Sequence, residues 1–508
     1  MSDEFCNKCQ IYENETLGRY VKANDVIHAG ETILLEKPLL ILPCTGEKRC
    51  CNCFRFALQY CSKCSISPMC LECQTHSEYD CSTLMRLTSL PDVKLDLLKK
   101  HLDTYGLLRC LLLQENPETR EHFERMLNME SHLEKRRNTP IWQQHNKEII
   151  QPLIKSNILK GLQMAESINE DLLQKICSIW DVNSHEIRAP DTAAMRGLYV
   201  NVSLLAHHCC PNANQAIDDQ YRMKVYANRD IGKDEMVTNS YTNLLLGTEE
   251  RREFLREGKY FHCTCERCED PTELGTHMSS FVCAPCAGKN QEGFIVKDAA
   301  SKSWKCLKCG HTLRNAQVQN ILEKAREEVF HSQDDLRRLE YLLAKLHTIL
   351  HKNHYIIVDL KQNIANILRS IIMSSLQRPG RRLYERKIRL CQDLVLLLHT
   401  IQPGISRLKG IALYEMATAS AELYRLRFGE KELSVQELKE HLGKCESMFK
   451  EAIRLLLHEP SETPEGKLVK SMMNELKDLR NDIQLLDQPA PEAVEDEEEN
   501  AVEAEDEE

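Results

Sequence analysis

From about residue 316 onward, apolar positions recur at helical spacing. Leu336, Leu339, Leu343, Leu346 and Leu350 repeat every three or four residues, which places them on one helix face. Pro379-Gly380, Pro403-Gly404 and Pro460 interrupt the pattern and predict separate helices. Ser434, with Glu437 three residues on, predicts a helix start, and Ser461 is read the same way. Antiparallel helix pairs stacked in sequence would form a concave wall or a capping bundle. Residues 82–180 also read mainly as helices, for example "SLPDVKLDLLKKHLDTYGLLRCLLL". The most apolar runs, such as "ILLEKPLLILP", are short and broken by charge and proline, so no membrane span is predicted.

The 508 residues suffice for several domains, and 42% hydrophobic with 28% charged residues fits a soluble globular chain. The polar start "MSDEFCNKCQ" does not read as a signal peptide. The net charge is −11, and the last stretch, 488–508, holds 11 acidic and no basic residues. Without it, 66 basic residues balance 66 acidic ones. So acidic a block without aromatics is expected to be disordered. The neutral body argues against direct DNA binding, which needs a basic surface facing phosphates.

Cysteine changes the picture: there are 24. Paired cysteines in a reducing compartment point to metal. Between residues 50 and 81 stand Cys50, Cys53, Cys61, Cys64, Cys70, Cys73, His76 and Cys81, eight soft ligands and so two tetrahedral zinc sites. The pairing stays open, although interleaving (the first pair with the third, the second with His76 and Cys81) suits so compact a segment. Few apolar residues lie here, and structural zinc, at roughly 10–16 kcal/mol, would replace a missing core. Cys263, Cys265 and Cys268 leave an ion one ligand short, which Cys209 or Cys210 of "LLAHHCCPNAN" can supply. Cys283, Cys286, Cys306 and Cys309 have zinc-ribbon spacing. Sixteen ligands thus predict about four zinc ions. Cys391 and Cys445 read as core residues, and Cys6 and Cys9 as a pair without an assignment.

Together these motifs resemble the SET and MYND domain (SMYD) family, and more closely its arthropod-specific branch. The segment 50–81 resembles a MYND finger, with "C-x2-C" at 70–73 and "H-x4-C" at 76–81 each one residue off the usual spacing. "ETLGRYVKANDVIHAGETILLEKPLL" resembles the first half of a SET domain, and "SLLAHHCCPNAN" the signature N-H-x-C-x-P-N. "IGKDEMVTNSYTNLLLGTEERREFL" resembles the end of SET, and "YFHCTCERCEDPTELGTHMSSFVCAPC" the post-SET region.

The resemblance implies an α+β fold: a β-rich SET domain with an inserted finger, a post-SET zinc region and a C-terminal TPR-like helical domain. The parts would be SET at 11–49 and 181–241, finger 50–81, helical insert 82–180, post-SET and ribbon 242–314, and helices 315–487. It implies Cys209 as the fourth post-SET ligand and S-adenosylmethionine as cofactor, bordered by Gly18, Arg19, Tyr20, Ala206, His207, Tyr241 and Phe261. Tyr241 would be the catalytic contact in methyl transfer to a lysine of a protein substrate, histones among the candidates. The lysine must lose its proton, and an aromatic channel beside a sulfonium favours the neutral amine. A cysteine nucleophile is the rival for "LLAHHCCPNAN", but no oxyanion-hole motif accompanies it. The finger would take proline-rich peptides, and the protein would divide between nucleus and cytoplasm. Three positions depart from the wider family. Tyr20 replaces a glycine. Ala206 replaces an asparagine, at a cost of about 0.5–1.5 kcal/mol in cofactor binding. Lys259 replaces a second channel tyrosine, with Tyr260 one position along as a substitute. These departures raise the alternative of a corepressor-type scaffold without turnover.

Overall fold

The computed structural model describes residues 4–44, 47–188, 193–298, 303–375 and 379–486. The acidic stretch 488–508 lies outside them.

The chain opens with a hairpin, Cys9–Asn14 against Gly18–Ala23. Its turn has a local cause. Asn14 Oδ1 accepts from the amides of Thr16 (3.0 Å) and Leu17 (2.7 Å), and Gly18 takes φ +64°. Two three-stranded antiparallel sheets follow. One orders 213–217, 223–227 and 32–36; the other orders 40–43, 194–198 and 184–188. Strands from before residue 45 thus pair with strands from after residue 183. The buried carboxylate of Glu36 fastens this join, accepting from the amides of Asn201 (2.8 Å) and Val202 (2.9 Å). Val21, Ile27, Ile33, Leu34, Val202, Leu205 and Val225 pack the shared core.

The finger and the helices after it share one core. Cys50, Cys64, Ile66 and Met69 bury against Leu84, Leu108, Leu111 and Ile176, and Tyr105 donates to Ser67 Oγ at 2.9 Å. The finger therefore borrows apolar area from its neighbour as well as offering metal ligands. Cys81 lies inside the helix Glu78–Thr88, capped by Ser77, so the expected boundary at 81/82 cuts a helix. The insert ends in the helix Glu170–Asn183, capped by Asn169.

After residue 280 a four-stranded ribbon (281–282, 294–297, 304–306, 312–313) carries the cysteines 283–309. The helices Asn315–Phe330, Leu336–Leu346, Tyr355–Ser374, Arg381–Ile401, Arg407–Gly429, Val435–Leu456 and Pro464–Leu485 follow. The predicted breaks at 379–380, 403–404 and 460 fall between helices. Leu339, Leu343 and Leu346 are buried on one face, but Leu350 lies past the helix end, bridged to Phe281. Ser434 starts its helix in a capping box with Glu437. Ser461 does not start one: Thr463 caps the last helix, because Pro464 suits the first helical turn.

These helices lock onto the SET-like sheet. Ile405 N donates to Asn228 O (2.6 Å) and Asn214 Nδ2 to Ile405 O (2.8 Å). Gly404 is required there, since a Cβ would stand 1.9 Å from Asn228 O. Tyr226 stacks on His458 with centroids 5.0 Å apart. No described helix is long and apolar enough to cross a membrane.

Candidate functional site

Two segments cross at "LLAHHCCPNAN". Ala206–His207 pairs in parallel with Thr238–Asn239. Asn212 clamps the crossing: its Nδ2 donates to Met236 O (2.8 Å) and Glu235 Oε1 (3.0 Å), and Thr238 N donates to its Oδ1 (2.7 Å). Beneath the crossing, Cys209 meets Cys263, Cys265 and Cys268, with Cys209 Sγ 3.9 Å from Cys263 Sγ and 3.5 Å from Cys268 Sγ. Cys210, the competing ligand, faces elsewhere and packs against the ribbon and helical core.

Three further groups converge equally closely: Cys50, Cys53, Cys70 and Cys73; Cys61, Cys64, His76 and Cys81; and Cys283, Cys286, Cys306 and Cys309. In every group the four ligand atoms lie within 4.8 Å of one another. Four soft donors per group fit tetrahedral zinc. The finger groups interleave, first pair with third. His311 joins none of them. Cys6 and Cys9 bring their sulfurs to 3.8 Å, with no third ligand among the described residues.

Above the crossing stands an aromatic cluster. The ring of His207 lies 5.2 Å from Tyr241 and 5.9 Å from Phe261; Tyr241 and Phe261 meet edge to face at 6.4 Å. The Tyr241 amide donates to His207 Nδ1 (3.0 Å), and its hydroxyl donates to Leu205 O (2.6 Å). Burial pushes the Tyr241 hydroxyl up to about 12, so it stays protonated and able to donate. Gly18, Arg19 and Tyr20 start the strand alongside: Val237 N donates to Val21 O at 2.9 Å. Gly18 is open, with no atom within 4 Å of a would-be Cβ. Arg19 reaches the carbonyl of Asn128 (2.6 Å), and Tyr20 stacks on Tyr12. Beside His207, the buried Asn239 Oδ1 has no hydrogen-bond partner, an acceptor that a bound cofactor can satisfy.

The choice between Lys259 and Tyr260 is resolved against the substitute. Tyr260 takes a left-handed φ of 61° and turns to the helical insert, packing on His132 (5.1 Å) and accepting from Arg136 (3.4 Å). Lys259 instead places Nζ 5.5 Å from the Tyr241 ring centre and donates to Val182 O. Burial lowers its pKa, opposed by Asp181.

Sequence reasoning missed the shell around Cys209. Arg251, Arg267 and Glu273 are buried. Arg251 donates to Cys209 Sγ (3.3 Å), Cys268 Sγ (3.5 Å) and Glu273 Oε2 (2.9 Å). Arg267 donates to Cys209 O (3.2 Å) and to Glu273. One signal existed: Arg251 precedes the buried Leu255 by one helical turn in "EERREFL".

This crossing and the surrounding sheets lie within a segment that matches a known domain family. The SET domain family model matches residues 18–242. The SET domain-containing protein SmydA-8, isoform B, of Drosophila melanogaster is 23% identical over 324 residues, 61% of this chain and 68% of that protein. Its isoform A is 28% identical over 179 residues, 34% of this chain and only 38% of that protein. Histone-lysine N-methyltransferase ASHR1 of Arabidopsis thaliana is 27% identical over 335 residues, 61% of this chain and 63% of that protein. Histone-lysine N-methyltransferase SMYD3 of Mus musculus is 26% identical over 281 residues, 52% and 61%. Among solved structures, the SET domain of LSMT bound to lysine and AdoHcy aligns over 94% of this chain and 88% of that chain, at 9% identity and a TM-score of 0.25, too low to carry an argument. Residues 18–242 thus match the SET domain, and the chain is similar to SMYD proteins at modest identity.

Proposed function

We propose that this protein is an S-adenosylmethionine-dependent protein-lysine methyltransferase of SMYD type, with histones as candidate substrates and a role in transcriptional regulation. The observation that carries the reading is the half-buried Tyr241–His207–Phe261 cluster seated on the crossing at Cys209. When bound, S-adenosylmethionine supplies an electrophilic methyl group. The chain's own residues do the rest. Gly18, Arg19, Tyr20, Ala206 and His207 would border the cofactor, with Asn239 beside them. Tyr241 and the Leu205 carbonyl would orient the incoming amine. The aromatic rings exclude water, which favours the neutral amine and concentrates catalysis in alignment. Four zinc ions would hold the finger, crossing and ribbon. The test is calorimetric titration with S-adenosylmethionine, then methyl transfer to a histone mixture. Tyr241→Phe should cut transfer at least about 100-fold at constant zinc content. No binding of the cofactor would end the reading.

A second reading is a scaffold without turnover on outside lysines, bound by proline-rich peptides at the finger. Lys259 favours it, because an amine already stands on Tyr241. The exposed Phe56, Leu58 and Leu71 on the finger favour it too. Nuclear and cytoplasmic residence is part of both readings, and imaging of a tagged full-length chain tests it.

A further inference from the structure

We infer that Lys259 is an internal lysine standing at the acceptor position of this site, a built-in mimic of the substrate amine. The inference rests on the methyl-transfer reading: under it, any incoming amine has to come to Tyr241. The Lys259 ammonium is there already, 5.5 Å from the ring centre.

The placement is built, not incidental. Lys259 caps the helix Thr248–Gly258, and its Nζ donates to Val182 O in the last turn of the helix Glu170–Asn183. That helix end is the negative pole of the helix dipole and suits a cation. Asp181 adds a carboxylate nearby. The next residue makes the aim possible. A left-handed turn at a tyrosine is costly, about 1–3 kcal/mol, and persists only where its surroundings enforce it. Here Lys135 Nζ donates to the Tyr260 carbonyl (3.2 Å) while Arg136 and His132 hold the ring. With Tyr260 gripped outside, Lys259 is left inside. Long ammonium side chains ordinarily keep their heads in water; this one is docked on a carbonyl and an aromatic face.

The consequence for ligands is specific. Lys259 uses the cation–π attraction of Tyr241 that an outside lysine would need. Its charge also repels a sulfonium but not a neutral thioether of the same shape. The full-length zinc-loaded protein is therefore titrated calorimetrically at pH 7 with S-adenosylmethionine and with S-adenosylhomocysteine. Lys259→Met, which keeps the stem and removes the charge, should improve the affinity ratio in favour of the sulfonium by about five- to tenfold. Lys259→Arg should leave the ratio near that of the wild type. Methyl transfer to added histones should rise in Lys259→Met as the acceptor position opens. Should the methionine variant lose zinc, Lys259→Gln provides the same comparison. An unchanged ratio in the neutral variants overturns the inference while leaving the methyl-transfer reading intact. If neither ligand binds any form, the methyl-transfer reading falls and this inference falls with it.

Discussion

Replacing Arg251 by methionine removes the group that links the cysteine crossing to the rest of the core. The guanidinium is 0% exposed and reaches Cys209 Sγ, Cys268 Sγ, Glu273 Oε2, the Thr248 hydroxyl (3.0 Å) and the Leu246 carbonyl. Methionine fills much of the volume, so the loss is electrostatic more than steric. A hydrogen bond to a charged partner is worth about 1.5–3 kcal/mol, and breaking a buried ion pair costs about 3–5 kcal/mol, because the remaining charge is stranded. Arg267 stays within 3.2 Å of Glu273 and limits the stranding. A net loss of about 3–5 kcal/mol is therefore expected. Lowered urea midpoint and faster release of one zinc ion to a chromogenic chelator are the readouts. Arg251→Lys keeps the charge without the fork and should fall between. The double variant with Glu273→Gln should lose less than the sum of the singles, since the stranded carboxylate is gone. Unchanged midpoint and unchanged zinc release in Arg251→Met would refute the assignment of this arginine to the thiolate shell.

Cys209→Ser should carry three zinc ions instead of four by native mass spectrometry, with the finger and ribbon ions retained; four ions would place the fourth ligand elsewhere. Gly404→Ala should lower the urea midpoint by an amount equivalent to about 1–3 kcal/mol, since the added carbon collides with Asn228 O at the helical–SET seam. His351 and His354 are held neutral by burial, each down to about 3. The unfolded chain binds their protons below its ordinary imidazole pKa of about 6.5 and the folded chain does not, so stability falls as pH drops from about 6.5 towards 3. His354 also caps the helix Tyr355–Ser374, accepting from Ile356 N. His354→Asn keeps the cap and should flatten the loss of urea stability between pH 7.5 and 5.5, and an equally steep loss would count against the assignment.

What the sequence made legible was chemistry with short range. Cys50–Cys81, Cys263–Cys268 and Cys283–Cys309 announce themselves because thiolates sharing an ion recur at fixed spacings. A fourth donor from Cys209 or Cys210 follows because a three-cysteine cluster needs one, and the family resemblance implied Cys209. Helices after residue 315 are legible through leucine spacing, although the register fails at Leu350, where a tertiary bridge to Phe281 replaces the helix. Arg251 escaped because "EERREFL" reads as a solvated charged face despite Leu255 one turn on, and Glu273 because it lies in the irregular stretch "EDPTELG", which has no periodicity to read. The deciding case is the Lys259–Tyr260 pair. The two are adjacent in the chain, and Tyr260 takes a left-handed φ of 61°. The choice is made by His132, Lys135, Arg136 and Val182, more than 75 residues earlier in the chain, which grip one side chain and dock the other. Local sequence thus fixes which groups the site can use, while the helical insert fixes which of the two side chains faces Tyr241. It follows that the insert, and not the SET strands alone, sets access to the site. Substitutions at His132 or Arg136 should therefore shift ligand preference even though neither residue touches Tyr241.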